Sequence, residues 1–254
     1  MDLERLRGLG RPLHYFSSID TTMRAAAELA ERGEPAGAVV LAEEQTAGRG
    51  RLGRDWVSER GAGLYFSLIL RPALSTSEAG VLPLALGLAV AGAIQRVSGL
   101  TCDLRWPNDV LLGERKCCGI LCEMTAEGDR VRHVVAGIGV NVNHARMPEA
   151  LSHTATSLRM ETGREQSREA LLEEILREAD CWLEILAGPG PAAVIEGFTR
   201  ASSYGSGKRV VVSNGAERLA GVTAGLTPAG TLLLRCDDGV VVPILAGSVR
   251  PETE

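Results

Sequence analysis

The 254-residue chain lacks the signatures that would settle its class at once. Its six cysteines form no C-x-x-C pair, and none is spaced with one of the four histidines as a zinc site requires. They read instead as reduced core thiols of a cytoplasmic protein. There is no basic excess: 27 Lys and Arg stand against 32 Asp and Glu, a net charge of −5, and general nucleic-acid binding leaves the opposite footprint. The longest apolar stretch, 81–97, is rich in Ala and Gly and broken by Pro83 and Gln95, so it reads as a buried helix rather than a membrane span. No signal-peptide pattern is expected at the start. No internal repeat or low-complexity tract is evident. With 45% hydrophobic residues, the chain is long enough for a sizeable core, one large domain and one small one.

What is present alternates in an α+β manner. Apolar periodicity predicts helices over 23–32, ended by Gly33, over 80–98, and over 168–186, stopped by Gly188-Pro189. Strands are predicted over 38–43, 64–70, 102–106, 110–112, 116–123 and 132–143, with His14-Tyr15-Phe16 as the first after a short lead-in over 1–11. After Gly205 the texture changes. Short strands over 209–212, 218–225, 231–236 and 240–245 are separated by the hairpin signals Asn214-Gly215, Pro228-Ala229-Gly230 and Asp238-Gly239. The spacing predicts a five-stranded SH3-like barrel over 205–254 that docks on a larger domain over 1–204.

The chemistry concentrates in Gly48-Arg49-Gly50-Arg51-Leu52-Gly53-Arg54. Glycines let the backbone approach a ligand closely, and each guanidinium is a permanent charge with a planar fork of donors, so the loop suits an anion. Read literally, it also fits G-x-G-x-x-G, but that fingerprint needs a helix opening at it and an acid about 20 positions on. Residues 55–61 have no helical period and 64–71 read as a strand without an acid, so a dinucleotide fold is set aside. A solvated basic loop is the plain alternative.

Three further segments follow: Arg105-Trp106-Pro107-Asn108-Asp109, Lys116-Cys117-Cys118-Gly119-Ile120-Leu121-Cys122-Glu123, and Gly137-Ile138-Gly139-Val140-Asn141-Val142-Asn143. The order GRGRxGR, W-P-N-D, K-x-x-G-I-L-x-E, G-x-N-V-N, with a small β domain last, resembles the biotin protein ligases. The resemblance implies a class II synthetase-like catalytic domain, of the lipoate-biotin ligase type, and a two-step reaction. Biotin and ATP, with Mg²⁺, would form biotinyl-5′-adenylate and pyrophosphate, and the acyl group would pass to a lysine of a biotin carboxyl carrier protein. Some members carry a helix-turn-helix domain ahead of this core. Only 20 residues precede Thr21, so neither that domain nor operator binding is expected here. A homodimer through an edge strand is left open.

By the same resemblance, Thr21, Thr22 and Met23 occupy the family's S-T-N segment and Gln45 its glutamine, the groups that hold biotin. Neutral amide and hydroxyl partners suit a ureido ring, which has one carbonyl and two N–H groups. Met23 replaces a frequent asparagine. Either threonine would otherwise serve as a helix N-cap before Met23. Gly48, Arg49, Gly50, Arg51 and Arg54 would close over biotin and the adenylate and exclude water from a hydrolysable mixed anhydride. Trp56 would pack on adenine or fix the loop's exit, with a core position equally open. Asn141 falls on the asparagine that meets adenine and would share a strand face with Asn143.

Lys116 has the sharpest case from its own surroundings. Period 2 along a strand places it on one face with Cys118, Ile120 and Cys122, its stem over apolar surface and its ammonium in need of an anion. A substrate carboxylate and an α-phosphate both qualify, and a cation between them would stabilise charge on the reacting phosphorus. A lysine snorkelling at a strand end is the bland alternative. Asp109 is read as orienting Lys116 or holding Mg²⁺, Asn108 as binding phosphate, and Arg51 as a second catalytic charge, although Pro-Asn-Asp is also strong turn chemistry. Two other classes remain: a lipoate or octanoate ligase or transferase of the same fold, and a non-catalytic biotin sensor. The Gln45 and GRGRLGR combination favours biotin, and the retained Lys116, Arg49, Arg51 and Asn141 favour catalysis.

Overall fold

The computed structural model describes Met1, Leu6 and residues 11–215 and 217–252. Most of the expected lead-in over 1–11 lies outside the described residues. The larger sheet comprises β1 (Leu13–Phe16), β2 (Val39–Ala42), β3 (Gly63–Leu70), β4 (Asp103–Arg105), β5 (Asp109–Leu112), β6 (Arg115–Glu127) and β7 (Arg130–Asn141), in the spatial order β1-β2-β3-β7-β6-β5-β4. Only the β1–β2 pair is parallel.

Among the described residues five helices accompany the strands: α1 (Thr22–Glu31), α2 (Leu82–Ser98), α3 (Leu158–Thr162), α4 (Arg168–Ala187) and α5 (Pro191–Ala201). The first, second and fourth realise the sequence expectations within two residues at either end. Helix α1 is capped at its start by Thr21, whose hydroxyl accepts from the Met23 amide. Helix α2 is apolar almost all round, with Leu82, Leu84, Leu86 and Ile94 wholly buried, as a helix covered on every side must be. It is the one helix among the described residues with the length and hydropathy of a membrane span, and its burial marks it as a core helix. Helices α3 and α5 were not anticipated. Helix α5 begins at Pro191, just past the Gly188-Pro189 break, because proline at the first helical turn starts a helix as readily as it ends one.

The smaller, antiparallel sheet comprises β8 (Ser206–Asn214), β9 (Glu217–Leu226), β10 (Leu232–Arg235), β11 (Val241–Ile244) and β12 (Ser248–Pro251), ordered β11-β10-β9-β8-β12. It contains the four short strands expected from the hairpin signals and a fifth at the end. It is bound to the rest by specific contacts. The Trp106 indole donates to the Gly230 carbonyl at 2.8 Å, and Lys208 pairs with Glu114 at 2.8 Å. Tyr204 is fully buried between the two parts.

Two details of strand geometry position the site. In the β5–β6 ladder Val110 faces Cys118 but Leu111 faces Lys116, so Cys117 is an extra residue, a β-bulge. Cys117 and Cys118 are consequently both wholly buried. This corrects the expected face: the bulge turns Lys116 away from Cys118 and Ile120, and its ammonium lies 2.8 Å from where a Cβ on Gly119 would stand. Strand β7 ends at Asn141, so Asn143 does not share its face. Asn143 instead pins the 166 loop, donating to the Gln166 carbonyl at 2.9 Å and accepting from its amide at 2.8 Å.

Candidate functional site

Two cavities share a wall. The smaller, about 50 Å³, is lined at one end by Thr21, Thr22, Met23 and Gln45 and at the other by Arg51, Asn108 and Lys116. The larger, about 360 Å³, is lined by Arg54, Asp55, Asp109, Asn141 and His144 and, from the second sheet, by Gly247 to Arg250. Gly50, Arg51, Trp56, Asn108 and Lys116 border both. Every residue anticipated for the site except Gly48 therefore lines one cavity or the other.

The floor of the smaller cavity is made of glycine. Gly119 faces Gly139 and Leu121 faces Gly137 across the β6–β7 ladder. A Cβ on Gly137 would meet the Met23 sulfur at 2.4 Å, and one on Gly139 would meet the Trp56 indole at 2.4 Å. Side chains are absent from this floor so that others can lie upon it. Trp56 thus sits between the cavities, half-buried, with its indole nitrogen buried and unpaired and the Lys116 ammonium 5.4 Å from a ring centroid. That placement replaces the core position considered above.

At the polar end Gln45 is the pivot. Its Oε1 accepts from the Thr22 amide at 2.9 Å and from the Thr22 hydroxyl at 3.2 Å, and its Nε2 donates to Ser58 Oγ at 3.1 Å. The Thr22 hydroxyl also meets Ser67 Oγ at 2.8 Å. Thr21 is spent on the helix cap, so of the two threonines Thr22 belongs to the hydrogen-bonding centre. Gly48 has a packing role: a Cβ there would meet the Trp56 carbonyl oxygen at 2.6 Å.

The opposite end is cationic and organised around one carboxylate. Asp109 accepts from Lys116 Nζ on Oδ1 at 2.6 Å and from Arg105 on Oδ2 at 2.9 Å. Burial alone would raise its pKa, but Lys116 and Arg105 more than offset that and hold it below the usual carboxylate range. Arg51 donates to Asn108 Oδ1 at 2.8 Å, while Asn108 Nδ2 donates to the Ile120 carbonyl at 2.8 Å. Burial, with repulsion from Arg54 and against the attraction of Asp109, lowers the Arg51 pKa from its ordinary value.

The arginine loop is more tied down than its composition suggests. Arg54 donates to Ser248 Oγ at 2.9 Å, the Gly50 amide donates to the Arg54 carbonyl at 2.7 Å, and the backbones of Arg49 and Asp55 form an antiparallel β-bridge. Arg49 is exposed. In the larger cavity Asn141 Nδ2 donates to the Thr156 carbonyl at 3.0 Å.

Arg250 was not anticipated, since nothing in a strand 134 positions past Lys116 announces that it returns to the same cavity. The residue is exposed, yet desolvation of its guanidinium first, and then repulsion from Arg105 and Arg54 against the pull of Asp109, lowers its pKa. The glycine floor carried a readable signal, Gly137-x-Gly139 at strand period opposite Gly119, and so did Arg105, four residues before Asp109 across a turn. An amide-and-hydroxyl end joined to a cationic end suits a neutral ring system bearing a carboxylate. A larger chamber with Arg51, Arg54, Lys116 and Arg250 suits a polyphosphate.

Residues 15–141 match the model of the Biotin/lipoate A/B protein ligase family. Over 170 residues the chain is 42% identical to the bifunctional ligase/repressor BirA of Bacillus spizizenii, which covers 66% of this chain and 52% of that protein. The chain thus spans about half the length of that relative. It is 35% identical over 225 residues to the biotin–[acetyl-CoA-carboxylase] ligase of Paracoccus denitrificans, covering 85% of this chain and 91% of that one. The biotin protein ligase of Aquifex aeolicus, solved in complex with biotin and ATP, superposes with a TM-score of 0.81 at 31% identity, over 95% of this chain and 99% of that one.

Proposed function

Because the chain belongs to the biotin/lipoate A/B protein ligase family, we propose that it activates biotin with ATP to biotinyl-5′-AMP and transfers the biotinyl group to a lysine of a biotin carboxyl carrier protein, in the cytoplasm. The observation that carries this reading is the shared wall: a small polar pocket and a cationic chamber meet at Arg51, Asn108 and Lys116. There a carboxylate from one side and an α-phosphorus from the other would come within reach of each other.

In the first step a biotin carboxylate oxygen attacks the α-phosphorus and pyrophosphate leaves. Thr22 and Gln45 would hold the ureido ring, and Met23 would lie against the ring system. Lys116 and Arg51 would draw two mutually repelling anions together and stabilise the charge that develops between them. Asn141 would meet adenine, Arg49 would close over the smaller cavity, and Arg54 and Arg250 would attend the phosphates. Trp56, on the glycine floor, must yield some of its space, since 50 Å³ admits only one or two waters. In the second step the carrier's lysine amine attacks the acyl carbon and AMP leaves. That lysine would enter by the mouth of the larger cavity, rimmed by the exposed Leu52, Val57 and Leu151.

Magnesium would arrive on the nucleotide. Among the described residues no group of three His, Cys, Asp or Glu could cage a metal, and Asp55 and Asp109 are the carboxylates lining the chamber. That fits an ion held by phosphates, water and one or two carboxylates, which would neutralise charge on the leaving group. We further assign 1–204 to the catalytic domain and 205–254 to a docked domain that completes the nucleotide chamber. The reading is tested by incubating the protein with ATP, Mg²⁺ and either biotin or lipoate and weighing the bound acyl adenylate. A lipoyl adenylate formed in preference to a biotinyl one would overturn the substrate assignment.

A further inference from the structure

Lys116 faces a conflict that the site must resolve. Its ammonium is bound to Asp109 at 2.6 Å, yet catalysis needs it on the substrates. Withdrawing it would strand a largely buried carboxylate, and breaking a buried pair from one side is costly because the remaining charge has no compensation. Asp109 has a second cation. Arg105 stands directly opposite Asp109 in the β4–β5 ladder, a cross-strand pair created by the tight reversal through Trp106-Pro107-Asn108. Its Nη2 donates to the carboxylate oxygen that Lys116 does not use.

The two cations differ in freedom. The Arg105 side chain is 2% exposed and its guanidinium lies 5.8 Å from the centroid of the buried Tyr204 ring, so it is walled in from the side of the second sheet. Lys116 is 27% exposed on the wall shared by both cavities. One cation is fixed and the other is transferable.

We infer that Arg105 is a positioning residue for the reaction: a fixed counter-charge that keeps Asp109 satisfied, so that Lys116 can leave it for the substrate carboxylate and α-phosphate and return afterwards. In the empty site Asp109 holds Lys116 aimed along the shared wall. When substrates arrive, the ammonium exchanges one anion for another, and Arg105 stays hydrogen-bonded to Asp109, with the weaker attraction of Arg51 and Arg250 beside it. The inference rests on Lys116 being the group that meets the reacting phosphate.

The test compares Arg105→Gln, which keeps a donor and loses the charge, with Arg105→Lys, which keeps the charge, and with Lys116→Ala, by pyrophosphate release, biotin KM and melting point. Arg105→Gln should lower kcat on the order of 10²-fold, as the loss of one electrostatic contributor does, with biotin KM nearly unchanged. Arg105→Lys should recover most of that loss. A folded Arg105→Gln with kcat within about threefold of wild type, while Lys116→Ala is inactive, would reduce Arg105 to a stability role, because the scale expected is on the order of 10². Near-normal release by Lys116→Ala would instead remove the reading on which the inference stands. Should Arg105→Gln fail to fold, Arg105→Lys decides alone. Retention of kcat within about tenfold supports the counter-charge, and a loss matching that of Lys116→Ala overturns it.

Discussion

At the residue scale the arrangement turns on how the cations of the loop and of β6 are held before substrates arrive. Lys116 is tied to Asp109, Arg51 to Asn108 and Arg54 to Ser248, so each cation is already aimed and little reorganisation is left for the moment of reaction. Lys116→Ala should therefore cost on the order of 10²–10³ in adenylate formation, and biotin affinity should fall far less, because the charge matters most in the transition state. Pyrophosphate release measured beside circular dichroism and melting point checks this. A second residue gives a pH signature. His144 is buried, its Nε2 3.3 Å from the Tyr65 hydroxyl, and burial, against a weaker pull from Glu59, lowers its pKa below the ordinary value. Unfolded, the ring takes a proton as pH falls through about 6.5, whereas the folded chain resists it, so stability is lost from that point downward. His144→Gln should flatten the fall in melting temperature between about pH 7 and pH 5, and an unchanged slope would assign the loss to other groups.

At the element scale, the glycine floor of β6 and β7 and the loop above it act as one device. Gly139→Ala places a methyl within the Trp56 indole, so the ring must lift from the floor. The expected outcome is a cost of about 1–3 kcal/mol in stability, as overpacking usually brings, and a raised biotin KM. Unchanged values for both would mean that Trp56 leaves its place freely. How much of this was legible depends on the range over which each feature is decided. Helices α1, α2 and α4 and the main strands follow from apolar period and local caps, so they were readable within a few residues. The bulge at Cys117 was not, since it arises from the register between β5 and β6, and it reversed the face expected of Lys116. The same holds for Asn143, whose neighbour Asn141 is the last residue of β7. The arginine loop's composition gives no sign of its partners, because Asn108 and Ser248 lie 57 and 194 positions from Arg51 and Arg54.

At the scale of the whole molecule, the larger cavity, proposed above to take the nucleotide, is a product of both sheets. Its walls include the arginine loop, the turn before β5 and Gly247 to Arg250 at the edge strand β12, and no sheet alone encloses it. Arg250 is the sharpest probe of that division of labour. It sits with Arg54 and Arg51 around the same space, and although the residue is exposed, desolvation of its guanidinium and like charges from Arg105 and Arg54, against the pull of Asp109, disfavour its charged form. A polyphosphate entering the cavity would relieve such repulsion. Biotin, placed by the proposed reading on the glycine floor beyond Lys116, would gain nothing from it. Arg250→Ala should raise KM for ATP about tenfold or more, the scale of one charge-assisted contact, and leave biotin affinity nearly unchanged. It should also raise the melting temperature slightly or leave it level, because a crowded cation is removed. Steady-state pyrophosphate release with each substrate varied in turn separates the two effects. An ATP KM equal to that of the wild type would confine the second sheet to a docking role and leave the phosphates to Arg51, Arg54 and Lys116.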